Sequence, residues 1–137
     1  MRILGIDYGR KKIGLAFADS KLADPLVVVH GETMEELIEE LKKIILKNQV
    51  EEIVVGISEN EMGEESRNFS RSLSKSLRRS RLFRIPIETF DETLTTQEAQ
   101  KLAIEAGIKR QKRKGLEDAY AAALMLQSYL DEKEINV

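Results

Sequence analysis

Cysteine is absent from this chain of 137 residues, and histidine occurs once, at His30. Without cysteine the protein can form neither a disulfide nor a zinc site with thiolate ligands. A Ser-His-Asp triad would have to be built around His30, which is better explained as a strand-end residue than as a general base. The serines between Ser66 and Ser80 have no base partner in the pattern, so a serine nucleophile is not expected.

Long hydrophobic runs are also lacking. No apolar segment approaches the ~20 residues needed to span a bilayer, and the N-terminus does not follow the plan of a signal peptide. We therefore expect a cytoplasmic protein that does not enter a membrane. Its length fits a single domain over residues 1–137 with a substantial core. Apolar residues make up 42% and charged residues 34%, as in an ordinary globular protein.

The net charge is small, at −2, but the charges are unevenly distributed. From Arg67 to Arg84 there are seven Lys or Arg residues and no acid. This segment is equally consistent with the solvated face of a helix and with a surface that attracts a polyanion. A second basic run, at positions 109–114, leads into an acid and is the better candidate for phosphate contacts.

Hydrophobic periodicity predicts an α/β protein with the order βββαβαβαα. The first three strands are joined by short turns and should be antiparallel, whereas the helix-linked strands should be parallel. We expect a mixed five-stranded sheet in a three-layer fold, flanked by helices. The predicted strands cover 2–7, 13–19, 25–30, 52–57 and 85–90, and the predicted helices cover 34–48, a segment capped by Ser66 after a loop at 58–66, 95–107 and 116–130.

Acidic residues stand where strands end or where a helix begins. Asp7 ends the first strand beside a glycine-containing turn, Asp91 and Glu92 follow the last strand, and Asp118 lies in the first turn of the final helix. An ionised carboxylate near a buried strand needs a partner, a metal or water. Oxygen ligands without Cys or His select Mg²⁺ or Mn²⁺, and two such ions can support phosphodiester cleavage.

Each acid also has a simpler explanation. The helix dipole favours Asp118 at a helix N-terminus whatever its role, and Asp91 or Glu92 can simply end a strand. Their joint occurrence with Asp7 favours a site. The pattern leaves open whether Asp91 or Glu92 faces Asp7, because a one-residue change of register exchanges the two faces of a strand.

Three segments resemble the YqgF/RuvX family of bacterial RNase H-like proteins, which are described as Holliday junction resolvases and as pre-16S rRNA nucleases. They are R-I-L-G-I-D-Y-G-R-K-K-I-G-L-A, D-E-T-L-T-T-Q-E-A and K-R-Q-K-R-K-G-L-E-D-A-Y-A-A-A-L-M-L-Q-S-Y-L. The match extends over essentially the whole chain. It implies an RNase H-like fold and a metal-dependent nuclease site.

By this resemblance the catalytic residues are Asp7, Asp91, Glu92 and Asp118. Asp7, Glu92 and Asp118 are expected to hold two Mg²⁺ or Mn²⁺ ions. The expected nucleic-acid contacts are Lys11, Lys12, Asn60, Arg110, Lys112, Arg113 and Lys114.

The chain departs from the family pattern in two places. In the loop between Gly56 and Gly63, Ser58 replaces a proline and Met62 replaces an aspartate. Glu59 in the same loop is an additional acid, and Thr93 replaces an arginine after the D-E pair. These changes concern substrate contacts more than metal binding, because every proposed acid remains.

The expected function is processing of the 16S rRNA precursor by a nuclease, with ribosomal particles as possible partners of a monomer or weak homodimer. Cleavage of branched DNA is an alternative that needs a dimer with two symmetric sites. A non-catalytic RNA- or ribosome-binding protein is a third. The first hairpin also resembles the phosphate loop of actin-like ATPases, but 137 residues cannot supply the two large domains of those enzymes.

Overall fold

The computed structural model describes residues 1–57, 61–91 and 115–135, without the side chains of Glu61, Met62 and Ile135. The helix that begins near residue 117 is called α3 here. None of the described helices combines the length and the hydropathy needed to cross a bilayer. The elements are β1 (Ile3–Tyr8), β2 (Lys12–Ala18), β3 (Ala23–His30), α1 (Met34–Lys47), β4 (Glu52–Ile57), α2 (Glu61–Arg78), β5 (Ile87–Asp91) and α3 (Glu117–Ile135).

The five strands form one mixed sheet in the order β3-β2-β1-β4-β5. β1 to β3 are antiparallel, whereas β1, β4 and β5 are parallel, as predicted. The carboxyl ends of the three parallel strands therefore meet at one edge of the sheet, which we call the carboxyl edge. Pro86 lies just before β5 at the sheet margin, a position that tolerates its missing N–H.

Helices cover both faces of the sheet, and the two faces differ in side-chain size. The face under α1 and α2 is lined by large aliphatic residues such as Leu4 and Ile6, which pack with Phe69 and Leu73. The face under α3 is lined by smaller residues, among them Ala16, and packs against alanines of the helix. Since side chains alternate along a strand, even positions of β1 face α1 and α2 and odd positions face α3.

The far half of α3 is fixed to the sheet through Tyr129. Its buried hydroxyl lies 2.7 Å from Oε1 of Glu52 on β4 and 2.8 Å from Oε2 of Glu88 on β5, so two acceptors share one proton. Burial, followed by these two acids, raises the pKa of Tyr129. The ring also makes an edge contact with Phe90, with centroids 5.8 Å apart.

The predicted start of α2 was wrong. The helix begins at Glu61 and not at a cap on Ser66, which is only 3% exposed and lies on the buried side of the helix with Phe69. Acids near the N-terminus, Glu64 and Glu65 among them, suit the helix dipole and explain how the helix extends into a segment with little apolar content. The helix predicted for 95–107 lies outside the described residues.

Candidate active site

Asp7 lies near the end of β1, at the carboxyl edge, on the face that carries α3. Its pairing partners are Gly14 on β2 and Gly56 on β4. Residues that pair across strands project to the same face, so neither neighbour places a side chain beside the Asp7 carboxylate. The half-buried acid therefore stands in a groove between two glycines.

The first turn of α3 lies directly on this groove. A Cβ atom at Gly14 would be 1.9 Å from the carbonyl oxygen of Asp118 and 2.7 Å from the amide nitrogen of Ala119. No real Cβ approaches backbone this closely, so the helix can begin here only because residue 14 is glycine. Since Gly14 pairs with Asp7, this approach brings Asp118 to the same edge and face as Asp7.

Lys12 connects the same two elements through a salt bridge. Its Nζ lies 3.1 Å from Oδ2 of Asp118, and both side chains are partly exposed. This contact orients Asp118 and offsets part of the negative charge at the groove. Lys11 instead reaches Oε2 of Glu32 at 3.7 Å, with both side chains mostly exposed, so this second pair contributes little.

Asp91 lies at the same edge but on the opposite face. It pairs with Ile57 on β4, and it lines a cleft of about 140 Å³ together with Arg67 of α2 and Thr89. Phe90, one residue earlier, packs on the α3 face. The structure thus brings Asp7 and Asp118 together and turns Asp91 away from them.

The remaining predicted site residues lie outside the described residues. They are Glu92, Asn60, Arg110, Lys112, Arg113 and Lys114.

The turn between β1 and β2 is anchored to α2. The Arg10 guanidinium donates to both carboxylate oxygens of Glu65 at 2.8 to 3.1 Å, and the Tyr8 ring stacks on Phe69 with centroids 4.6 Å apart. The hydrogen bond from Arg10 lowers the pKa of Glu65, and partial burial raises the pKa of Tyr8. These contacts fix the turn that carries Lys11 and Lys12.

Sequence reasoning missed the role of the two glycines. Gly14 lies within the apolar run of β2 and Gly56 near the end of β4, positions where a strand normally carries a packing side chain. A glycine inside a strand often marks the close approach of another backbone or a ligand. That signal was present, but assigning it to Asp7 required the register of three strands.

The acids of the groove suit a hard divalent cation. Asp7 and Asp118 offer only oxygen donors, and the missing side chains at residues 14 and 56 leave space beside them. Within the part of the chain that the structure describes, no group of three or more His, Cys, Asp or Glu residues is placed to hold a metal ion. A complete ligand set would therefore need a further acid from outside the described residues.

Solved structures with low sequence identity share this fold. Thermus thermophilus RuvC in complex with a Holliday junction substrate superposes with a TM-score of 0.60 at 17% identity, covering 96% of each chain. The fowlpox virus resolvase, in complex with Holliday junction DNA, gives 0.53 at 10% identity and covers 97% of this chain and 99% of its own. At such identities the similarity concerns the fold alone, and it confirms the predicted RNase H-like architecture.

Sequence relatives are closer. A protein of Halothermothrix orenii is 41% identical over 96% of this chain and 95% of its own, and one of Dictyoglomus thermophilum is 36% identical over 99% of both. Both carry the name "Putative pre-16S rRNA nuclease". The family model described as "RuvX: Holliday junction resolvase" matches residues 1–132. The chain therefore belongs to the RuvX family.

Proposed function

We propose that this protein is a divalent-metal-dependent nuclease that processes the precursor of 16S rRNA. The observation that carries the proposal is the groove in which Asp7 stands between Gly14 and Gly56, with Asp118 brought beside it by the start of α3. The names of the relatives from Halothermothrix and Dictyoglomus support the choice of substrate.

Asp7, Asp118 and Glu92 are the proposed metal ligands. Even positions of β5, such as Glu88 and Phe90, belong to the α3 face because they pair with Val54 and Gly56. The same alternation, carried one position beyond the described strand, assigns Glu92 and not Asp91 to the face of Asp7. Asp91 is proposed to act at the edge without joining the ligand set.

The residues of the groove suit an attack on a phosphodiester. Mg²⁺ or Mn²⁺, when bound by these acids, supplies charge stabilisation at the phosphate and an activated water. Asp7 is held by strands on both sides, so its carboxylate is positioned with little freedom to move. The glycines let a phosphate approach the sheet, and Lys12 keeps the Asp118 carboxylate directed into the groove.

Cleavage of an RNA that spans an immature 16S end, with Mg²⁺ or Mn²⁺, tests the proposal. Wild-type protein should cleave this RNA, and Asp7→Asn should abolish cleavage without changing the circular dichroism spectrum. Asp19→Asn is the matched control, because Asp19 follows β2 at the opposite edge of the sheet. Full activity in Asp7→Asn would contradict the mechanism, and the same loss in Asp19→Asn would show that it is not specific.

A comparison of Asp91→Asn with Glu92→Gln tests the ligand assignment separately. We expect Glu92→Gln to lose cleavage as Asp7→Asn does, and Asp91→Asn to retain most of it. The reverse order would assign Asp91 to the metal.

Holliday junction cleavage is the second candidate function, favoured by the description of the family model. A four-way DNA junction incubated in parallel with the RNA distinguishes the two. Preferential junction cleavage together with a stable dimer would favour the resolvase. Tight RNA binding without cleavage under either metal would favour a binding protein, with ribosomal particles in the cytoplasm as its proposed partners.

A further inference from the structure

Exposed cations follow one side of α2 from end to end. Their spacing of four residues corresponds to about 6 Å along the helix axis, so they form a stripe. The opposite side of the helix is buried against the sheet through Phe69, Leu73 and Leu77. We call this stripe the α2 basic face: Arg67, Arg71, Lys75, Arg78 and Arg79.

The α2 basic face has no acidic partners among the described residues. None of its five side chains forms a salt bridge there, and the one hydrogen bond that Arg71 makes goes to the neutral side chain of Asn68. Helix α1, which packs beside α2, shows the ordinary arrangement. There Lys42 and Lys43 pair with glutamates three residues earlier, at 3.2 and 3.1 Å.

An exposed aromatic residue lies beyond the C-terminal end of this face. Phe83 is 56% exposed, and the Arg84 guanidinium lies 5.3 Å from the centre of its ring. The two residues line a cleft of about 320 Å³ together with Arg78 and Pro86. An exposed aromatic ring beside several arginines offers a stacking surface for a nucleobase.

The α2 basic face connects this cleft with the candidate active site. α2 follows β4 at the carboxyl edge, and Arg67 lines the small cleft that contains Asp91. The 18 residues of the helix extend about 27 Å from there, towards the edge where β5 begins. Cations therefore lie along the whole distance between the groove of Asp7 and Phe83.

We propose that the α2 basic face and the Phe83 cleft bind a single-stranded segment of the RNA substrate, which extends away from the bond that is cleaved. Four of the five cations of the face are arginines, whose planar guanidinium groups bind phosphate oxygens in pairs. An unpaired base is required because only a base outside a duplex can lie flat on Phe83. The proposal depends on the proposed nuclease function only for the identity of the ligand as RNA.

The charge contribution can be measured by fluorescence anisotropy with a labelled single-stranded RNA of about 12 nucleotides, a length within the ~4–16 nucleotides of known single-strand sites. All variants carry Asp7→Asn, so that the RNA stays intact and the result does not depend on catalysis. Replacing Arg71, Lys75 and Arg79 by Gln should weaken binding tenfold or more. The slope of log K against log salt should fall by about 2, at ~0.7 for each phosphate contact.

The matched control removes the same number of charges from the neighbouring helix. Replacing Lys42, Lys43 and Lys47 of α1 by Gln should leave affinity and salt slope nearly unchanged, because two of these lysines pair with glutamates. Equal losses in the two triple variants would overturn the proposal, since they would indicate a general response to net charge. Unchanged binding in the α2 triple variant would overturn it as well.

Phe83→Leu tests the stacking contact. We expect about tenfold weaker binding of the single-stranded RNA with an unchanged salt slope, because the variant removes an aromatic surface and no charge. Binding of a fully paired RNA duplex should not respond to Phe83→Leu. An equal loss for duplex and single strand, or preference of the α2 basic face for a polyglutamate peptide over RNA, would overturn the proposal.

Discussion

The two faces of the sheet are built from different side chains and do different work. Under α1 and α2, large aliphatic residues and Phe69 fill a thick core that supplies most of the apolar burial. Under α3, glycine and alanine let the helix lie almost on the strands, with the carbonyl of Asp118 against Gly14. The thick face holds the fold together, and the thin face brings the acids together.

This division explains why the candidate site lies on the side with the smaller core. A helix held away from the sheet by leucine side chains could not place the backbone of its first turn beside a strand residue. The close packing of α3 is therefore a requirement of the site. Substitutions on the thin face should act mainly on cleavage, whereas those on the thick face should act mainly on stability.

Gly14→Ala should give the largest effect. The new methyl group meets the backbone of Asp118 and Ala119, so the start of α3 must move away from Asp7. We expect cleavage to fall by about 10²-fold or more, because small displacements of catalytic groups are costly. Urea unfolding should show a loss of about 1–3 kcal/mol.

Gly5→Ala is the control for Gly14→Ala. Its Cβ would meet the side chain of Leu126 at 3.0 Å and not backbone, so the helix can adjust more easily. It should retain most of the cleavage activity. If Gly14→Ala cleaved as well as Gly5→Ala, the thin face would have no special role in the site.

Leu73→Ala should act on stability alone. Leu73 is fully buried on the thick face, and its truncation leaves a cavity that costs about 2–5 kcal/mol in the free energy of unfolding. Cleavage per folded molecule, measured well below the melting temperature, should match the wild type. A large loss of cleavage in the folded variant would contradict the division between the two faces.

Tyr129→Phe should have a moderate effect that depends on pH. Removing the hydroxyl leaves Glu52 and Glu88 without their shared donor, at a cost of about 1 kcal/mol. The pKa of Tyr129 is raised in the folded protein, so the contribution of the hydroxyl is complete below pH 10, the usual tyrosine value, and decreases above it. Stability curves of wild type and variant should converge above pH 10. Parallel curves would contradict the assignment.

Glu65→Gln should have the smallest effect, because both side chains of its pair with Arg10 are substantially exposed. The pKa of Glu65 is lowered in the folded protein from its usual 4.5, so the pair stabilises the fold above that pH and loses its contribution as the pH falls further. The difference in urea midpoint between wild type and variant should be small at pH 7 and absent in strong acid. A constant difference would mean that the glutamate acts through packing.

Local patterns were sufficient to predict most of the fold. Period-two hydrophobicity located the strands, the apolar stripe of Leu37, Leu41 and Ile45 located α1, and the order of elements gave the sheet its mixed directions. The start of α2 was wrong because the segment around Gly63 resembles a loop in composition, and its helix depends on burial of Ser66 against the sheet.

The site could be predicted only in part, for a geometric reason. Asp7 and Asp118 were recognisable from their positions at the ends of elements. The face of Asp91 depends on its register with Ile57, and the role of Gly14 depends on a helix that begins about a hundred residues later. Neither relation is encoded in a short stretch of sequence.

The attachment of α3 at both ends has a consequence for how the groove opens. Contact with Gly14 fixes the first turn, and the hydroxyl of Tyr129 fixes the helix to β4 and β5 about 16 Å further on. Fraying of the first turn alone leaves the second attachment intact, so the helix can leave the sheet only when both are released. Backbone amides of α3 should therefore exchange with deuterium in one cooperative step together with the central strands.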